Sequence, residues 1–195
     1  MQFSAGTQPV VCDGRVIKYT GTVKGETRSH VRTQSPIPSW SDTFYFEFDI
    51  NSSGKSNDIS VGFFSNDENF IYHGKNGKIL HGQKLVAMAN KFGTGDKIGC
   101  LVRRVYADDK QYILCNFKIK LHDSNHYTDV GLDRVVEAEN VWPGIYINSP
   151  SAEVTYSNDF YPTVNETGII LQSLKLYIWT IVIKDENSIP HKRQT

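Results

Sequence analysis

VRTQSPIPSWSDTFYFEFDINSSGKSNDISVGFF, residues 31–64, decides the fold class of this chain. Two runs rich in aromatic and β-branched residues, Phe44 to Ile50 and Ile59 to Phe64, flank a Gly/Ser/Asn/Asp segment, the composition of strand, turn and strand. In the first run Phe44, Phe46, Phe48 and Ile50 alternate with Tyr45, Glu47 and Asp49. One face is therefore apolar and the other partly polar, as in a half-buried strand. The two runs are expected to pair as a central antiparallel hairpin.

The same pattern continues on both sides. Val16 to Tyr19 reads as a first short strand, ended by the Gly21 to Gly25 turn, and Pro36-Ile37-Pro38 as loop or sheet edge, because proline removes a ladder donor. Phe70 to Tyr72 and Lys78 to Leu80 bracket the turn His73 to Gly77. Ile98 to Tyr106 and Gln111 to Leu121 are expected to pair as a second hairpin, and Gly144 to Ile147 and Ala152 to Tyr156 supply two more strands. Leu85 to Ala89 is read as one helical turn, and no amphipathic helix of about ten residues appears before Gly168. Many short strands with Gly, Asn and Pro turns predict an all-β chain of two antiparallel sheets packed face to face.

At 195 residues the chain fits one domain with a full core, or a domain with a short tail, and it needs no disulfide to fold. Lysine plus arginine equals aspartate plus glutamate at 21 each. No basic run interleaves with aromatics, so the electrostatic footprint of a nucleic-acid binder is missing. The first fifteen residues lack a basic segment followed by an apolar core of about seven residues, which predicts a protein kept inside the cell, in the cytoplasm and also the nucleus. The three cysteines, Cys12, Cys100 and Cys115, lack metal-site spacing and read as free thiols. From Ile169 to Ile183 the run IILQSLKLYIWTIVI is apolar, yet too short and too interrupted for a membrane span of about twenty residues. It is expected to add a strand along the sandwich, with Asp185 to Thr195 frayed.

Catalytic constellations are weak throughout. Glu47 and Asp49 put two carboxylates about 7 Å apart on one strand face, resembling part of a jelly-roll β-glucanase motif. Ser52 stands where the third carboxylate is due, and a retaining glycosidase needs its nucleophile and acid about 5 to 5.5 Å apart. Both carboxylates are expected on the less buried face, paired or solvated. Gly93 to Gly99 carries three glycines but continues into a strand rather than a helix, so Asp96 is read as organising the strand entry through backbone bonds. His122 and His126 fall in a polar turn rather than on one helix face, and no metal or cofactor site is expected.

Several motifs in order carry a resemblance: V-R-x-x-x-P-I-P, Y-F-E-F and D-I-S-V-G-F within the opening stretch, then YHGKNGK at Tyr72 to Lys78, KFGTGDKIGCLV at Lys91 to Val102 and VWPGIYINSPSAEV at Val141 to Val154. Together they resemble a SPRY domain, nearest to the Ran-binding-protein-M type. The family's usual hairpin between Val105 and Asn140 is replaced here by ILCNFKIKLHDSNHYTDV. The resemblance divides the chain into an extension at 1–15, a SPRY domain at 16–163 and a tail at 164–195. It implies a bent β-sandwich that is not an enzyme and that grips a protein partner or peptide segment with loops at one rim. Carried over position by position, that rim is Gln34, Pro36 and Pro38, then Tyr72, Lys78 and Leu80, then Asn148, Ser149 and Pro150. The implied role is a scaffold or substrate-recruiting subunit, for instance in a ubiquitin-ligase or signalling assembly. The competing expectation is a carbohydrate-binding or degenerate glycosidase jelly roll, which would present exposed aromatics on a concave sheet face.

Overall fold

A computed structural model describes residues 3–5, 10–22, 29–107, 110–130, 134–136 and 140–158. The expectations for Ile169 to Ile183 and for the rest of the tail lie outside the described residues. The strands are β1 Phe3–Ala5, β2 Val10–Asp13, β3 Val16–Tyr19, β4 Ser29–Thr33, β5 Thr43–Ser53, β6 Ile59–Phe64, β7 Asn69–His73, β8 Lys78–His81, β9 Lys84–Met88, β10 Lys97–Ala107, β11 Lys110–Lys120, β12 Thr128–Asp129, β13 Arg134–Val136, β14 Trp142–Ile147 and β15 Ala152–Ser157. No helix occurs among the described residues. One sheet of seven strands runs β1-β4-β14-β6-β7-β8-β9, and a second of eight runs β12-β11-β10-β5-β15-β3-β2, with β13 also paired to β11. The segment before Val16 contributes β1 to one sheet and β2 to the other.

The core lies between the sheets and is largely aromatic. Phe46 of β5 meets Phe63 of β6 with ring centroids 5.4 Å apart, and Phe117 of β11 meets Phe70 of β7 at 4.9 Å. Tilted and edge contacts of this kind add about 0.5 to 1.5 kcal/mol per pair to the burial of the rings. Phe44, Phe46, Phe48 and Ile50 all face this layer, as their alternation predicts. Cys100 and Cys115 are free and buried in it, and burial pushes the Cys100 thiol well above its ordinary pKa.

Two expectations are corrected. The runs at Phe44 and Ile59 do not pair with each other. β5 sits between β10 and β15 in the larger sheet, while β6 sits between β14 and β7 in the other. The connection after Ser53, with Gly54 and Asn57 at positive φ, crosses from one sheet to the other. Every residue of β6 is buried, which marks a strand bonded on both edges and covered on both faces rather than one arm of an exposed hairpin. Leu85 to Ala89 is not a helical turn, because β9 pairs with β8 through Lys78↔Met88, Ile79↔Ala87 and Leu80↔Leu85. Val86 is the extra residue of a bulge, and the bulge brings both Leu85 and Met88 to the outer face beside Leu80. The second expected hairpin forms in full, with β10 and β11 in register from Lys97↔Lys120 to Ala107↔Lys110.

Candidate functional site

The residues expected to share one rim lie at opposite ends of the sandwich. β4 and β14 are antiparallel neighbours, with Arg32↔Gly144 and Ser29↔Ile147, so the chain leaves them in opposite directions. At one end the Ile37 amide donates to the Val141 carbonyl at 2.7 Å, and at the other the Asn148 amide donates to the Asp58 carbonyl at 2.9 Å. The strand between them spans roughly 17 Å at the usual rise. Gln34, Pro36 and Pro38 therefore stand at the first end, and Tyr72, Lys78, Asn148, Ser149 and Pro150 at the second. Leu80 lies on the outer face of the seven-strand sheet, half-buried. The single rim is corrected to two.

At the second rim most of the expected contact residues hold the fold. Tyr72 is fully buried against Phe92 and Phe117, and its hydroxyl donates to the Asn90 carbonyl. Burial, aided by Asp96, raises its phenol pKa. Asn148 accepts from the Tyr19 hydroxyl at 3.2 Å. Ser149 Oγ donates to the Ser53 carbonyl at 2.7 Å and accepts from the Ser56 amide at 3.0 Å, and the Pro150 carbonyl accepts from the Lys55 amide at 3.0 Å. Asp96 accepts from the Gly93 amide at 2.7 Å and the His122 amide at 2.9 Å, the entry-organising role its sequence context predicts. Gly77, at φ 72°, approaches the Ala89 carbonyl so closely that a Cβ would stand 2.1 Å from its oxygen.

The first rim is built in the opposite sense. Ile37 is buried as an anchor, and the inward-facing Arg104, 5% exposed, donates from Nη2 to the carbonyls of Ile37 at 3.2 Å and Pro38 at 3.4 Å. The Ser41 amide closes a turn onto the Pro38 carbonyl at 3.2 Å, and the Arg104 amide bonds the Asp42 carbonyl at 2.7 Å. The loop so fastened carries Trp40, which is 78% exposed. Tyr106, 64% exposed, stands three residues past Arg103 on β10, as Trp40 stands three before its partner Thr43. Gln34 is exposed, and Pro36 and Pro38 are half-buried beneath. Sequence reasoning missed Trp40 and Tyr106. One signal was available: Arg104 falls on the apolar parity of Ile98, Cys100 and Val102, and an inward guanidinium needs carbonyl partners.

The outer faces are internally satisfied where chemistry was sought. Glu47 lies on the Tyr45 and Asp49 face and is paired, as expected, but it is itself buried there, accepting from the hydroxyls of Tyr45 at 2.7 Å and Tyr127 at 2.6 Å. Gly99, opposite Glu47 on β10, leaves the room that the Tyr45 hydroxyl occupies. Burial first, and Glu47 second, raise both phenol pKa values. Asp49 pairs with Lys97 at 2.9 Å. On the other sheet a cleft of about 580 Å³ is lined by His30, Arg32, Phe64, Asp67, Glu68 and Tyr146 among others. Its aromatics are not laid open for a sugar ring: Phe64 packs on Tyr146 at 5.1 Å, and the His30 ring packs on both. Among the described residues no three His, Cys, Asp or Glu side chains gather as a metal centre.

No family model matches the sequence, and no curated protein matches it. Among solved structures, a human SPRY domain is similar with a TM-score of 0.62 at 20% identity, covering 83% of this chain and 99% of that one. The SPRY domain of human HERC1 is similar with a TM-score of 0.52 at 13% identity, covering 79% and 95%. The two-sheet antiparallel sandwich described above is thus similar, over most of its length, to the fold of solved SPRY domains.

Proposed function

We propose that this chain is a non-enzymatic protein-interaction module that binds a partner surface or peptide segment through the rim formed by Gln34 to Asp42 and Tyr106. The observation that carries the reading is Trp40, 78% exposed on a loop whose carbonyls are fixed from below by Arg104. An exposed tryptophan withholds about 4 to 6 kcal/mol of burial free energy from the fold, taking about 150 to 250 Å² of ring surface at ~25 cal/mol/Å². Fixing the loop in advance lowers the ordering cost of binding, and Trp and Tyr on rigid supports are the usual centres of interface energy. Gln34 and the edges of Pro36 and Pro38 form the polar and apolar surround. The role is that of a scaffold or substrate-recruiting subunit, and the buried free thiols suit a reducing compartment such as the cytoplasm.

Photocrosslinking tests the assignment. With benzoylphenylalanine at position 40, adducts to a discrete partner should form in cells, fewer to that partner at position 106 and none to it at position 151 of the opposite rim. Adducts at 151 with none at 40 would overturn it.

A further inference from the structure

The second rim offers a different surface. Once Asn148, Ser149 and Tyr72 are spent on the fold, four lysines are left outward there, Lys55, Lys75, Lys78 and Lys91, all exposed, and none of the four forms an ion pair among the described residues. Their loops form one body. The Phe92 amide bonds the Gly74 carbonyl at 3.1 Å, Asn57 Nδ2 the Phe92 carbonyl at 2.8 Å and the Ala89 amide the Gly77 carbonyl at 2.8 Å, while Lys55 is held through its amide to Pro150. The one buried acid among them, Asp96, spends its carboxylate on the Gly93 and His122 amides. The acids of the same end are Asp58, half-buried, Asp96, buried, and Asp123, exposed in the turn beside His122, so the positive groups are concentrated at Lys75, Lys78 and Lys91 around the 74–77 turn. Directly across the strand pair from Lys78 stands Met88, 61% exposed, with Leu85, 50% exposed, brought to the same face by the β9 bulge.

We infer that this rim is a second docking surface, whose occupant is an acidic peptide segment with an apolar residue beside the acidic run. Carboxylates of the segment meet Lys75, Lys78 and Lys91, and the apolar residue rests on Met88, a flexible and polarisable contact. A nucleic acid is the poorer fit. Among the described residues the rim supplies no arginine fork for phosphate, and its aromatic rings, Tyr72 and Phe92, are buried and closed to base stacking. The inference stands apart from the Trp40 rim, so either can fail alone.

The test uses the full chain and a fluorescein-labelled peptide of mixed Glu and Asp ending in two leucines, read by fluorescence anisotropy, with the Gln/Asn version as control. The parent should bind the acidic peptide at least tenfold more tightly than the amide version and weaken as salt rises from 50 to 300 mM. Lys75→Glu with Lys78→Glu should lose tenfold or more, Met88→Ser about threefold, and Lys84→Glu, the same charge change at the other end, less than twofold. Melting curves check that each variant folds, and Lys75→Gln with Lys91→Gln, expected to lose about threefold, replaces the double variant if it does not. Equal binding of acidic and amide peptides, or an equal loss from Lys84→Glu, overturns the proposal. So does tighter binding of a single-stranded oligonucleotide or a phosphatidylserine vesicle through the same lysines.

Discussion

At one end of the sandwich Tyr72, Asn148 and Ser149 turn their polar atoms inward to bond neighbouring loops, whereas at the other end Ile37 and Arg104 hold down a loop from which Trp40 stands 78% exposed. Both ends contain the Tyr, Pro and amide residues that suit recognition. The difference lies in where the loop backbone finds its partners. At the Asn148 end the crossing from β5 to β6 and the turn from β14 to β15 must satisfy each other's amides and carbonyls, and side chains are drafted for that. At the Trp40 end the Arg104 guanidinium, backbone bonds and the small hydroxyls of Thr33 and Ser41 satisfy the loop, and the ring of Trp40 is left outside that network.

The largest expected effect is on the lysine rim. Gly77→Ala would place a Cβ 2.1 Å from a backbone oxygen at φ 72°. It should cost about 3 kcal/mol and lower Tm by roughly 6 to 12 °C. Ser149→Ala leaves the Ser53 carbonyl and the Ser56 amide without their buried partner. A loss of about 2 kcal/mol is expected, measurable as a shift of the urea midpoint at constant slope. Gln34→Ala, on the exposed rim, should shift stability by no more than about 0.5 kcal/mol. A Gln34→Ala loss equal to that of Ser149→Ala would erase the distinction between the ends.

A pH series tests the lock on the outer face of the larger sheet. Tyr45 and Tyr127 have raised phenol pKa values in the fold, from burial and from the Glu47 carboxylate they donate to. The unfolded chain releases those protons near pH 10 and the fold keeps them, so their contribution is complete below about pH 10 and is lost as pH rises beyond it. Tyr127→Phe should therefore flatten the alkaline decline of the urea midpoint between about pH 9 and 11. An unchanged decline would show that Tyr127 is not bonded to Glu47 in solution.

Much of the strand content was legible because period-2 alternation and Gly/Asn turns are local signals: β3, β7, β8, β14 and β15 fall where the residues place them. The partition of strands between sheets was not. The segment Asn51 to Asp58 has the composition of a tight turn whether its flanking strands pair or part, and only the bonding of β5 to β10 and β15 decides the matter. The site was half legible for a related reason. Residue type marks Asn148, Ser149 and Tyr72 as able to bind, but exposure depends on which loops meet, and that is set by antiparallel neighbours distant in sequence. Glu47 shows the same thing: alternation places it on the polar face, and two tyrosines, one of them from a distant loop, bury it there.

The central claim, that Trp40 captures the partner of its rim while Ser149 holds the fold, is tested most directly by comparing Trp40→Ala with Ser149→Ala in two readouts, capture of the crosslinked partner and thermal melting. The account predicts that Trp40→Ala melts within about 1 °C of the parent, as an exposed substitution should, and loses capture. It predicts that Ser149→Ala melts roughly 4 to 8 °C lower and captures normally well below its Tm. Capture by Trp40→Ala equal to that of the parent, with capture lost in folded Ser149→Ala, would contradict it.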